Sequence, residues 1–289
     1  MSNKTSPRSS LWITLSILLL FSFILSACAS SAGQQSAAST DPFPTIRRIQ
    51  EAKKLKVGTG AGFYPFEMID KSGKMVGFDM DIAQAMADAL GVELEVVDFK
   101  DFDAIIPALS SGQIDMIIAG MTITPQRALV VNFSKPYFSS GQAVLINRKH
   151  EGTVKSVYEL DQEGFTIVTE QGTTGDVAAQ RIFKKATVRP MKGGNEATLD
   201  VCNGSSDAFV YDQPLIAIQA MQYPNCVYSI LEPFTAEKFG IPVRAGQADL
   251  LQWVNTFLDS YLDSDAYRES YEKWFVKGEW MKEVEMPSG

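Results

Sequence analysis

Short apolar runs and amphipathic stretches alternate from residue 55 onward, and this alternation confines the chain to an α/β fold. Residues 55–59 read as the first strand. A helix is expected over 79–90: Asp79 can cap it, Ile82, Met86 and Leu90 share a face, and Gly91 ends it. Residues 92–97 set Val92, Leu94 and Val96 at alternate positions, as a strand does. Phe102, Ile105, Ile106 and Leu109 mark the next helix, closed by Gly112, and the apolar run 114–119 is a buried strand. A second sheet is expected from strands at 165–169, 188–191, 208–211 and 226–230, with helices starting near 176, 196 and 213 between them. The tail 250–275 is helical, with Leu250, Val254, Phe257, Leu258, Tyr261 and Leu262 at helical spacing, and should pack back on the first sheet's lobe.

Residues 140–147 and 239–244 read as extended crossings between the sheets. Two crossings make a two-segment hinge over a cleft. The expected division is 45–143 plus 243–289 for one lobe, 147–238 for the other, and 144–146 and 239–242 for the crossings. Ligands of open α/β sheets sit beyond the carboxyl ends of strands, so the residues that follow each strand are the candidate site.

The richest of these ends is Gly120-Met121-Thr122-Ile123-Thr124-Pro125-Gln126-Arg127. Gly120 lets a ligand approach the backbone. Thr124 and Pro125 suit a helix N-cap and first residue. Arg127 then falls in the first turn, where the helix dipole disfavours a cation unless something local needs it. Free backbone N–H groups beside a guanidinium can capture a small acid. Gln171-Gly172-Thr173-Thr174-Gly175 is a second turn able to offer N–H and hydroxyl groups to an anion, or only to cap a helix; no lysine follows it, unlike a phosphate loop. Asp212 ends a strand and precedes Gln213-Pro214, so it can cap a helix or face the cleft. Asp79 and Asp81 have a metal-like spacing, but a cap and a solvated neighbour explain them better.

The chain resembles the amino-acid-binding class of bacterial extracellular solute-binding proteins, the receptors of ABC uptake systems. The resemblance is carried by Gly120 to Ala128 and Phe133-Ser134-Lys135-Pro136-Tyr137, then Phe63-Tyr64-Pro65-Phe66-Glu67, Gly77 to Ala83, Phe102 to Leu109, Gln171 to Gly175, Asp207 to Asp212 and Lys273-Trp274-Phe275. It implies a two-lobed, periplasmic-binding-protein type II-like α/β fold, each lobe a mixed sheet flanked by helices. It implies that Arg127 clamps the α-carboxylate of a polar L-amino acid, with help from the Gly120 and Thr122 backbone and the Thr122 hydroxyl, and from Thr174 and Gly175 on the second lobe. Asp212 would take the α-ammonium, and Phe63 and Phe102 would sandwich the side chain, while Tyr64 and Phe66 stay in the core. Two departures bear on selectivity. Gly60 stands where several binders of basic amino acids and of glutamine carry Asp, and Glu170 stands at the cleft rim where an apolar residue is common. Glu170 can meet a cationic or amide side chain, or only water; Glu67 is likewise ambiguous, although the resemblance implies a structural role for it. The implied partners are a free polar amino acid and an ABC permease; no cofactor, metal or catalytic residue is implied, and the protein would act as a monomer.

Residues 1–27 read as an export signal: Lys4 and Arg8 precede an apolar core, 11–25, too short for a comfortable span. Leu25-Ser26-Ala27-Cys28 resembles a lipobox, so Cys28 would carry a lipid and anchor the exported protein at the cell envelope. Residues 28–44, rich in Ser, Ala and Gln, form a tether with a reach of about 20 Å. The leader holds two of 26 basic residues and none of 34 acidic ones, so the remainder carries 24 against 34, a net charge of −10. That opposes binding to nucleic acid or directly to anionic lipid. Cys202 and Cys226 remain as an even pair in an oxidising compartment, either bridged or as two buried thiols. The single histidine, His150, lies near a lobe crossing and away from the motifs, which argues against a histidine-based triad. An enzyme on the same fold, such as a cyclohexadienyl dehydratase using Glu170 or Glu67 as acid, and a sensory lipoprotein are the competing readings.

Overall fold

The computed structural model describes residues 41–284 and 286. The expected leader 1–27, Cys28 and the tether as far as residue 40 lie outside the described residues. The fold starts with a helix, Pro44–Ala52, so residue 44 belongs to it and not to a tether. Pro44 takes the first helical position, where no N–H donor is needed. The N–H groups of Thr45 and Ile46 donate to Asp249 Oδ2 at 2.6 and 3.2 Å, which joins this helix to Ala248–Tyr261 in the tail.

The first sheet has five strands in the order Glu93–Asp98, Lys54–Thr59, Met116–Ile117, Pro242–Arg244 and Val131–Phe133. The first three run parallel, and Pro242–Arg244 enters antiparallel between Met116–Ile117 and Val131–Phe133. Leu55, Val57, Met116 and Val243 are fully buried in it, each contributing about 1.5–3 kcal/mol of burial. The helices Phe78–Leu90 and Ile105–Ser111 flank it. The tail packs on the same lobe: Asp81 Oδ2 accepts from Ser270 Oγ (2.7 Å) and Trp274 Nε1 (2.6 Å). Asp81 is thus a docking point for the tail and not a solvated neighbour.

The second sheet runs Thr187–Met191, Thr166–Glu170, Ala208–Asp212, Gln142–Asn147 and Val227–Ile230. Both sheets are mixed, as expected. The crossing placed at 144–146 is corrected by the structure. Gln142–Asn147 is an inner strand, antiparallel to Ala208–Asp212 on one side and Val227–Ile230 on the other, and all six of its residues are buried. A continuous apolar run buried on both faces belongs inside a sheet. The chain instead passes between the sheets at a short ribbon, where Phe138–Ser140 pairs antiparallel with Glu237–Phe239. Pro242 is already in the first sheet, so the return crossing falls at Glu237–Phe239 and meets the expected 239–242 only at its first residue.

Among the second sheet's helices, Gly194–Cys202 ends at a cysteine bonded to Cys226, with Cα atoms 5.0 Å apart. His150 Nε2 donates to Asp207 Oδ1 at 2.7 Å and the ring lies against Phe165, a structural role.

Candidate functional site

The parallel strands of both sheets end at one cavity of about 320 Å³. Lys54–Thr59 delivers Gly60 and Phe63, Met116–Ile117 delivers Ala119 and Gly120, Thr166–Glu170 ends on Glu170, and Ala208–Asp212 contributes Tyr211. Phe63, Phe99, Phe102 and Tyr211 supply aromatic wall, and Glu67, Glu170 and Asn195 supply polar wall. Phe63 also belongs to the core, stacked on Phe66 at 4.5 Å and edge-on to Tyr211 at 5.4 Å. Tyr64 and Phe66 are buried in that core, 3% and 0% exposed.

Gly120 has φ 52°, and a Cβ there would lie 2.1 Å from Phe63 Cε1. Only glycine fits both the conformation and the contact. Its N–H, expected to face a ligand, donates instead to Asp79 Oδ2 at 2.7 Å, which also accepts from Tyr137 Oη at 2.8 Å. Asp79 therefore does not cap its helix, whose N-cap is Gly77. The reason is burial: a carboxyl with no exposed surface must take donors where it can. Burial pushes Asp79 up to about 7, against the pull of Tyr137 and Gly120. Burial and the neighbouring Asp79 push Glu67 well above the usual carboxylate range. Burial also raises Glu170 to about 7, opposed by hydrogen bonds from Tyr211 and the Gly194 N–H.

Thr124 caps the short helix Pro125–Ala128, its Oγ1 accepting from Arg127 N at 3.2 Å. Arg127 projects from that turn over the Phe102 ring, 5.4 Å from its centroid. Its Nη1 donates to Thr122 O at 2.8 Å and its Nη2 to Gly172 O at 3.0 Å, so the guanidinium spans both lobes. Burial lowers its pKa, while the charges of Glu237 and Asp212 raise it. Gln171 Nε2 to Asp103 Oδ2 (2.7 Å) and Lys192 to Asp101 (3.0 Å) bridge the lobes nearby.

Beside Arg127 lies a second polar cluster. Asp212 accepts from Ser140 Oγ (2.7 Å) and Gln142 Nε2 (3.1 Å). Burial, then the charge of Glu237, raise Asp212 to about 7, while Arg127 pulls it down. Glu237 accepts from Thr122 Oγ1 at 2.6 Å and Thr174 Oγ1 at 2.7 Å through one oxygen, and from Thr235 Oγ1 and Gln142 Nε2 through the other. Gly175 lies behind Gln142, where a Cβ would meet Oε1 at 2.6 Å. Thus Phe63, Phe102, Gly120 and Glu170 line the cavity, while Arg127, Thr122, Thr174 and Asp212 cluster around Glu237. Glu237, Gln142, Ser140 and Tyr211 were not legible as site residues. Their one sequence signal is an isolated polar group in an extended or apolar stretch, which many surface positions share.

Residues 55–277 match the profile of bacterial extracellular solute-binding proteins, family 3. A glutamine-binding protein of an ABC transporter from Bacillus subtilis is 32% identical over 267 residues, covering 90% of this chain and 96% of its own. An ancestral amino acid-binding protein, a precursor of cyclohexadienyl dehydratase, superposes with a TM-score of 0.76 at 38% identity, covering 80% of this chain and 99% of its own. The arginine-bound form of a truncated ArgBP from T. maritima gives a TM-score of 0.70 at 36% identity, covering 74% and 99%.

Proposed function

The chain belongs to the bacterial extracellular solute-binding proteins, family 3, and from that premise we propose that it is an extracytoplasmic receptor which binds a polar amino acid in the cavity between its sheets and delivers it to an ABC importer. The observation that carries this reading is the meeting of Arg127 from the first lobe and Asp212 from the second around one polar cluster beside a walled cavity. In it, Arg127 clamps the α-carboxylate with Thr122, Thr174 and Gly175, Asp212 takes the α-ammonium, and Phe63, Phe102 and Glu170 face the side chain. A ligand held from both lobes favours the closed arrangement, because only that arrangement engages both charges. Relatives that bind glutamine or arginine support the amino-acid class. Export through residues 1–27 and a lipid on Cys28 would hold the receptor near its permease. The ribbon at 138–140 and 237–239 serves as the hinge in this reading.

A thermal-shift screen of the twenty amino acids tests it, since a ligand that binds only the folded form raises the melting temperature. The same ligand titrated into Arg127→Ala should lose about 2–5 kcal/mol, the range for truncating one member of a buried charge pair. Unchanged affinity removes Arg127 from the site. The dehydratase reading has one feature in its favour, the raised Glu170 in the cavity. Turnover of prephenate or arogenate by the pure protein would establish that reading, and binding without turnover would dismiss it.

A further inference from the structure

Four acidic residues line the cavity: Asp101, paired with Lys192, Glu196, which is exposed, and the inner pair Glu67 and Glu170; a further carboxyl, Asp79, lies against Glu67. Glu67 is 1% exposed and Asp79 0%. No protein donor reaches Glu67 Oε2 or Asp79 Oδ1. Two buried carboxyls in contact repel when both are charged, so one proton held between them satisfies both orphaned oxygens. Glu170, on the other lobe, is held as an acceptor by the Tyr211 hydroxyl and the Gly194 N–H.

The cations nearby are already committed. Lys100 and Lys192 line the mouth with side chains 82% and 60% exposed, and they pair with Asp98 and Asp101. Arg127 is tied to two backbone carbonyls. The inner acids therefore have no counter-ion from the described residues, while Phe63, Phe102 and Tyr211 present aromatic surface, which attracts cations.

We infer that this cavity takes a cationic side chain, the guanidinium or primary ammonium of a basic amino acid, and that the cation enters in exchange for the proton held between Glu67 and Asp79. This rests on the receptor reading. One positive charge enters as one proton leaves for solvent, so the buried acid wall gains a partner without a net change of charge. A neutral side chain makes no such exchange and leaves the proton in place. The groups facing the pair are Tyr137, Tyr211 and Glu170, and Glu196 acts on Glu170. Asp212, with Glu237 and Arg127 around it, titrates beside the head group of any amino acid and so acts alike on charged and neutral ligands.

Isothermal titration of the purified protein with arginine, lysine and glutamine, at pH 5.5 and 7.5 and in two buffers of different ionisation enthalpy, tests the inference. Arginine is the main probe because its guanidinium does not titrate. At pH 7.5 arginine or lysine should bind at least tenfold tighter than glutamine. Arginine affinity should gain up to about tenfold per pH unit over glutamine, the limit for one exchanged proton, with proton release seen as a buffer-dependent heat. Glu67→Gln should abolish this excess. Glu170→Gln, at a less buried position, should weaken arginine at least tenfold and glutamine by less than threefold. If Glu67→Gln does not fold, the wild-type proton count and Glu170→Gln decide. Glutamine binding as tightly as arginine, no excess proton release, or an unchanged excess in Glu67→Gln each overturns the inference. Glutamine binding that Arg127→Ala abolishes leaves the receptor reading standing even then. No binding by any amino acid overturns both.

Discussion

Glu237 is the residue whose removal should be felt most widely. It gathers Thr122 from the first lobe, Thr174 and Gln142 from the second, and Thr235 from its own segment. Hydrogen bonds to charged groups contribute about 1.5–3 kcal/mol, and orphaned buried donors cost about 1–3 kcal/mol each. Glu237→Ala should therefore lower stability by at least about 2 kcal/mol in urea titration, and Glu237→Gln by less. An unchanged urea midpoint in Glu237→Ala would contradict this. The same charge helps hold Asp212 up near 7. The conservative variant should therefore also shift the pH profile of ligand binding to lower pH, a change that a packing role alone would not cause. None of this was legible from the sequence. Arg127, Asp212, Phe102 and Glu170 stood in motifs at strand ends, but a carboxyl that serves two hydroxyls from distant segments leaves no local pattern. The Gly120 N–H was misread for a related reason: its partner, Asp79, lies 41 residues away.

At the scale of elements, the regular segments were legible where periodicity was clean. The helix Phe78–Leu90 and the strands Glu93–Asp98 and Ala208–Asp212 fall within a residue or so of expectation. The tail did not remain one helix: it breaks after Tyr261 and restarts at Asp265, where Ser264 Oγ accepts from Tyr267 N at 3.2 Å. The apolar spacing continues across that break, so hydrophobic period alone hides it. The apolar run within Gln142–Asn147 marks a buried strand, but its place between two antiparallel partners of the second sheet is set by those partners. The Cys202–Cys226 bond anchors the end of Gly194–Cys202 beside Val227–Ile230, with a sequence separation of 24. Closing a loop of that length is worth about 3 kcal/mol by the chain-entropy account. The double variant Cys202→Ser, Cys226→Ser should lose about that much in chemical denaturation. Intact-mass measurement with and without reductant should show a two-dalton change in the native chain, and no change would refute the bond.

For the whole molecule, three buried carboxyls, Asp79, Glu170 and Asp212, are raised to about 7. Unfolded Asp and Glu titrate near 3.9 and 4.3. Between about 4 and 7 the folded chain therefore binds more protons than the unfolded chain, and stability falls as pH rises through that window; Glu67, held well above the usual carboxylate range by burial and Asp79, acts in the same sense. Carboxyls with lowered values, such as Asp207 and Asp249, act in the opposite sense but only at more acid pH. Scanning calorimetry of the ligand-free protein should give a higher melting temperature at pH 5 than at pH 8, and Asp79→Asn should reduce the difference. A rise in melting temperature from pH 5 to pH 8 would contradict the assignment. The ribbon sets a mechanical limit on the same molecule. Ser140, Ser139 and Phe138 pair residue for residue with Glu237, Lys238 and Phe239. The outgoing and returning strands are thus laced side by side and cannot bend independently. In the receptor reading proposed above, a swing of one half against the other turns both strands together, like a door and not like a bead on two strings.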